Sequence, residues 1–172
     1  MNATPSSLSP ERYEVNVPAF LDALRSAGVT HVVGLPDTET GPVFDGSHLP
    51  PPRVICVCRE AEALGIAAGL WAGGARPLVL IQSTGFFESG DCLRNLVHEL
   101  EVPLDIAIGY RGHSGKLNAG TPDTAREFLE PLLAAWRLPS RTLRNEDYGA
   151  LAQALRDGAA RDCGARAFLL PQ

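Results

Sequence analysis

The sequence predicts an α/β fold: a doubly wound, mainly parallel sheet of about six strands with helices on both faces. Three observations carry that reading. Short apolar runs alternate with helix-period segments along the 172-residue chain. Pro77 to Gln82 (Pro-Leu-Val-Leu-Ile-Gln) is apolar without alternation, as strands covered on both faces of a parallel sheet are. Polar residues sit where strands end, at Asp37, Glu60 and Ser83-Thr84, and right-handed crossovers would bring those ends to one rim.

Residues 1–12 are rich in Ser, Pro and Thr and read as a flexible tail, leaving residues 13–172 as one domain. A first helix is expected from near Val15, with Phe20, Leu21 and Leu24 as its apolar stripe and Gly28 as its stop. Val29 to Gly34 reads as the first strand. Thr38 to Arg53, with Pro42 and Pro50 to Pro52, reads as a loop carrying a short helix near Val43 and Phe44. Val54 to Cys58 is the second strand, and Glu60 to Ala72 a helix of small side chains. After the Pro77 to Gln82 strand, Ser83-Thr84-Gly85 reads as an exit turn and Asp91 to Leu100 as a helix. Leu104 to Gly109 is the fourth strand, followed by a polar loop, helices at Thr124 to Trp136 and Asp147 to Arg161, and strands at Arg141 to Leu143 and Ala165 to Leu170.

Composition narrows the function. At 45% hydrophobic and 20% charged, the chain can bury its own core. A net charge of -5, without a basic patch, gives no support to nucleic-acid or anionic-membrane binding. The apolar stretches are short and the N-terminus is polar, so neither a spanning helix nor an export signal is expected and the cytoplasm is the expected location. Cys56, Cys58, Cys92 and Cys163 read as reduced packing thiols, the first two on one face of a strand. His31, His48, His98 and His113 are too scattered for a metal site.

Glu60 is the residue with most to say. It follows an apolar strand and opens a helix, and ligands of open α/β sheets bind outside the carboxyl ends of the strands. An acid at a helix N-terminus is also simply stabilising, by about 0.3–1 kcal/mol, so position alone leaves both meanings open. Glu62 lies about 200° further round the helix, so only one of the two can face a pocket.

Four segments together carry a family resemblance: Val33-Gly34-Leu35-Pro36-Asp37, Cys58-Arg59-Glu60-Ala61-Glu62-Ala63 running on to Gly69, Gln82-Ser83-Thr84-Gly85, and Ile108-Gly109-Tyr110-Arg111-Gly112. In that order they resemble the pyrimidine-binding domain of thiamine diphosphate-dependent decarboxylases, and among these the sulfopyruvate and phosphonopyruvate decarboxylases. The resemblance implies that Glu60, nine residues before Gly69, bonds the aminopyrimidine ring nitrogen and exchanges a proton with it, and that a dry surround favours its neutral form. It implies cofactor contacts from Pro36, Gln82, Ser83, Thr84 and Gly85. Asp37, Phe86, Arg111 and His113 would stand near a small 2-oxo acid substrate, Arg111 as an anion partner and His113 as a proton donor. Phe86-Phe87-Glu88 departs from the subgroup, which expects smaller residues there.

These enzymes hold the diphosphate through magnesium, bound by a Gly-Asp-Gly motif and a downstream Asn. Gly90-Asp91-Cys92 has Cys where the motif's second glycine would stand and follows no apolar strand. The resemblance therefore implies a separate diphosphate-binding β-subunit that holds most of the Mg²⁺ shell, in an α2β2 or larger complex. The expected function is the α-subunit of a heteromeric decarboxylase. An acetolactate synthase-like carboligase subunit and a non-catalytic assembly or regulatory subunit are the alternatives.

Overall fold

The computed structural model describes residues 15–45, 51–113, 123–161 and 164–172. Six strands, β1 (His31–Gly34), β2 (Arg53–Cys56), β3 (Pro77–Gln82), β4 (Asp105–Tyr110), β5 (Ser140–Thr142) and β6 (Arg166–Pro171), form one sheet in the order β2-β1-β3-β4-β6-β5. Every pairing is parallel. All six carboxyl ends therefore reach one rim, as the doubly wound reading requires. The expected tail at residues 1–12 lies outside the described residues, as do His48 and Cys163.

Helices α1 (Val17–Ser26), α2 (Gly41–Asp45) and α7 (Tyr148–Arg161) cover one face, and α3 (Glu60–Ala72), α4 (Ser83–Glu88), α5 (Gly90–Leu93) and α6 (Ala125–Ala135) the other. The strands feed both layers by their two-residue period. Val33, Val79, Ile81, Ile106 and Ile108 pack with Ala63, Leu64, Phe86 and Leu129. Val32, Leu78, Leu80 and Ala107 pack with Phe20, Leu24, Leu151 and Leu155. Burying each large apolar side chain contributes about 1.5–3 kcal/mol, which holds the helices down on the sheet.

Local chemistry sets the boundaries. Asn16 caps α1 by accepting the Ala19 N–H at 3.2 Å, and Pro18 stands in the first turn. Gly28 ends the turn at φ 75°, where a side chain is strained and a Cβ would meet the Arg76 guanidinium at 2.8 Å. The short helix expected near Val43 and Phe44 is α2.

Three expectations change. Ser83-Thr84-Gly85 is no turn: helix α4 begins at Ser83, directly off β3. The helix expected at Asp91 to Leu100 is split into α5 and a π-helical turn, Arg94–Glu99. There the Asn95 side-chain amide donates to the Asp91 carbonyl at 3.0 Å, which competes for a regular helical acceptor. Cys56 and Cys58 are exposed instead of packed, because β2 is the sheet edge and ends at Cys56.

At the amino-terminal end of the sheet, Arg166 of β6 donates through Nε to Asp105 of β4 at 2.9 Å and through Nη1 to the Ala154 carbonyl of α7 at 2.8 Å. Burial pushes the Asp105 carboxyl above its ordinary value of 3.8, and the pairing with Arg166 offsets only part of that rise. A carboxylate whose folded pKa is raised costs stability as pH climbs from the ordinary value through the folded one. Arg166→Met keeps the stem and strands the acid. The chain should lose roughly 2 kcal/mol at neutral pH, less than the ~3–5 kcal/mol of a fully buried pair because both side chains keep some exposure. Urea unfolding should recover part of that loss as pH falls and Asp105 takes up its proton.

Candidate active site

Three neighbouring strands build the centre of the rim. Gly34 at the tip of β1 pairs with Cys56 of β2 and with Leu80 of β3. The loop Leu35-Pro36-Asp37 therefore emerges between the strand that leads to Glu60 and the strand that leads to Ser83. Gly34 has to be bare, since a Cβ there would lie on the Leu80 carbonyl.

Helix α3 starts without a capping side chain of its own, because its N-cap residue is Arg59. Glu62 reaches back past the N-cap: its Oε2 accepts the Cys58 N–H at 3.1 Å. Glu62 is thereby turned back along the chain. Glu60 is left free to face across the rim, where it is half-buried. A Cβ built on Gly85 would land on the Glu60 carboxyl, so that carboxyl rests on the bare backbone of the first turn of α4. The dry enclosure expected around Glu60 is incomplete in this chain.

Beside it, Ser83 is fully buried and its Oγ has no hydrogen-bond partner. Buried hydroxyls are normally bonded, and an unsatisfied one costs roughly 1–3 kcal/mol. Thr84 is exposed and donates to Gln82 Oε1 at 3.0 Å, while Pro36 is exposed on the neighbouring loop. An unsatisfied hydroxyl and a glycine cradle at a carboxyl group match what a cofactor's heteroaromatic ring would need on this side. Glu60, Ser83 and Gly85, with Pro36, Gln82 and Thr84 around them, are the residues that could hold it.

The residues expected at the substrate fare differently. Phe86 is buried in the core, because the fourth residue of α4 faces the sheet; Phe87 is only half-buried. Asp37 has both carboxylate oxygens engaged: Oδ1 accepts the N–H groups of Glu39 at 2.8 Å and Thr40 at 2.7 Å, and Oδ2 accepts Gln172 Nε2 at 2.9 Å. Arg111 forms an ion pair with Asp123. His113 is exposed, with its ring centroid 4.7 Å from that of Tyr110. The Tyr110 phenol, raised by burial and by its bond to Glu130, donates to Glu130 Oε1 at 3.1 Å.

Two residues escaped the sequence reading. Arg59 bridges from the head of α3 to Glu88 at the end of α4. Its place next to Glu60 was a signal. Gln172 reaches Asp37 across the rim, and nothing local in the sequence announces a contact between residues so far apart. Among the described residues no group of three or more His, Cys, Asp or Glu side chains comes together as a metal site, and no helix is long and apolar enough to cross a membrane.

The fold is that of solved thiamine diphosphate enzymes. Benzoylformate decarboxylase from Polynucleobacter necessarius superposes with a TM-score of 0.66 at 23% identity, over 90% of this chain and 29% of that one. Sequence comparison adds phosphonopyruvate decarboxylase of Streptomyces viridochromogenes, 31% identical over 94 residues, which are 54% of this chain and 24% of that protein. Sulfopyruvate decarboxylase subunit alpha of Methanothermobacter thermautotrophicus is 25% identical over 128 residues, 74% of this chain and 77% of the relative. No protein-family model matches the chain. Fold and sequence together define a protein like the pyrimidine-binding domain of thiamine diphosphate enzymes. Its named sequence relatives are phosphonopyruvate and sulfopyruvate decarboxylases. The match spans only 24% of the Streptomyces enzyme.

Removing an unsatisfied group should help the fold. Ser83→Ala is expected to stabilise the free chain by about 1 kcal/mol, read as a higher urea midpoint at unchanged slope. A midpoint that falls instead would mean that the hydroxyl is bonded in the free chain.

Proposed function

We propose that this chain is the pyrimidine-binding α-subunit of a heteromeric, thiamine diphosphate-dependent 2-oxo acid decarboxylase. The observation that carries the proposal is the Glu60 carboxyl set against the bare backbone of Gly85, next to the unpartnered Ser83 hydroxyl. When bound, thiamine diphosphate supplies the electron sink that carbon–carbon cleavage beside a 2-oxo group requires. The chain's own share is narrower. Glu60 holds and exchanges a proton at the aminopyrimidine ring nitrogen, Ser83 offers a hydroxyl to the same ring, and the lack of a side chain at Gly85 keeps the carboxyl within reach.

A partner is part of the reading. Glu60 is only half-buried here, and a proton-sharing carboxyl works best where water is excluded. The outer side of α3 supports the same view: Gly65, Gly69, Trp71 and Ala72 are exposed, and Trp71 keeps 41% of its surface. A helix apolar all round normally has neighbours all round. The sulfopyruvate relatives are named as alpha subunits. In this reading the partner holds the diphosphate and its Mg²⁺.

Glu60→Gln removes the exchangeable proton and keeps the shape. In the assembled complex, decarboxylation of a 2-oxo acid should fall by at least about a hundredfold, with assembly intact by gel filtration. Undiminished turnover in an intact complex would sink the proposal.

A further inference from the structure

The rim carries a second polar contact that the catalytic reading leaves unused. Asp37 of the β1 loop meets Gln172, the residue after β6, with 2.9 Å between Oδ2 and Nε2. In the sheet order, β3 and β4 stand between β1 and β6. The contact therefore crosses the tips of two strands. It does so over Gly109 of β4, where a Cβ would collide with the Gln172 amide and lie 2.8 Å from Asp37 Oδ2. Gly109 is in turn the register partner of Gln82, the residue before Ser83.

Both partners are held from behind. The β4–β6 ladder runs to the pair Tyr110 and Pro171, and the Gln172 N–H continues it by donating to the Tyr110 carbonyl at 3.1 Å. On the other side, Asp37 Oδ1 accepts the Glu39 and Thr40 N–H groups, and the Asp37 carbonyl accepts the Gly41 N–H at 2.8 Å. Asp37 thus nucleates α2 with one oxygen and grips the far strand with the other. Its carboxylate is committed to the protein itself.

We infer that Gln172 is a positioning residue: it latches the Leu35-Pro36-Asp37 loop against the centre of the rim and so fixes that loop relative to Ser83 and Glu60. Asp37 acts in this latch and not as a substrate ligand. The inference rests on the proposed cofactor site, because the loop is flanked by the two strands that deliver Glu60 and Ser83.

An exchange of roles tests it. Gln172→Glu sets two carboxylates against each other and should open the latch. Adding Asp37→Asn restores a donor and an acceptor in the reverse sense, since an Asn can still accept from Glu39 and Thr40 through Oδ1 while its Nδ2 donates to the carboxylate introduced at position 172. In the full chain alone, hydrogen exchange at the Glu39 and Thr40 amides should speed up about tenfold in Gln172→Glu and return to within about threefold of the parent in the double variant, as expected for residues that couple directly. In the assembled complex the half-saturating concentration of thiamine diphosphate should follow the same pattern, rising about tenfold and then recovering.

Absence of rescue in hydrogen exchange would overturn the latch. Rescued exchange with cofactor half-saturation unmoved throughout would overturn the positioning role while leaving the decarboxylase reading intact. Failure of that reading has its own signature in undiminished turnover of Glu60→Gln, which this experiment does not touch.

Discussion

The rim is organised by one close approach, the Glu60 carboxyl lying on the backbone of Gly85, and much of the sheet order serves it. Strands β2 and β3 are not neighbours: β1 lies between them. The helices that follow them would begin two strands apart if each rose straight from its strand end. The crossover lays α3 over β1 and β3 instead, and it brings the head of α3 against the head of α4. Glu62 then holds the Cys58 N–H just before α3, and Arg59 braces the head of α3 to Glu88. With those two neighbours engaged, Glu60 is free of structural duty. The shared helix head gives each of three charged residues a separate job, and only the middle one faces the glycine.

Much of this was legible in the sequence because it is encoded by period and by strong punctuation. The apolar run from Pro77 to Gln82 could hardly be anything but a two-sided strand, and Gly28 marks a left-handed stop. Helix geometry leaves room for only one of Glu60 and Glu62 at a pocket, and it is the resemblance, through the nine-residue spacing to Gly69, that points to Glu60. What escaped depends on distance in space. Ser83 to Gly85 reads as a turn because the small residues that suit turns also suit a helix start packed against a carboxyl. Phe86 is expected beside the substrate because the sequence offers two adjacent aromatics, Phe86 and Phe87, and only the phase of α4 decides which of the two enters the core. Gln172 lies 135 positions from Asp37, and no local pattern links them.

Cys56 and Cys58 fail for a related reason. A strand in the middle of a sheet and a strand at its edge read alike, since alternation reports the faces and not the number of neighbours. Strand order is a tertiary fact. Once β2 is placed at the edge and cut short at Cys56, exposure of both thiols follows.

The two ends of the sheet are built to opposite specifications, and that polarity says where chemistry belongs. At the amino-terminal end polar groups are paired off: Thr30 Oγ1 accepts the Arg76 N–H at 2.9 Å, Arg76 Nη2 donates to the Leu155 carbonyl at 3.1 Å, and Arg166 ties Asp105 to α7. At the carboxyl-terminal rim the Ser83 hydroxyl is buried without a partner, Glu60 is half-buried, and α3 lacks a capping residue in its N-cap position. A chain selected only for stability would remove such features, since an alanine at position 83 is the simplest way to relieve an orphan hydroxyl. Their concentration on one edge, with a satisfied edge opposite, is the pattern of a fold that keeps unspent hydrogen-bonding capacity for a ligand. The same logic separates Asp37 from Glu60. Both are acids at strand tips, but Asp37 has its oxygens committed to the protein while the Glu60 carboxyl is turned to a glycine with no side chain to meet it. The committed acid builds the rim, and the uncommitted one is the acid to which the proposed function assigns proton exchange.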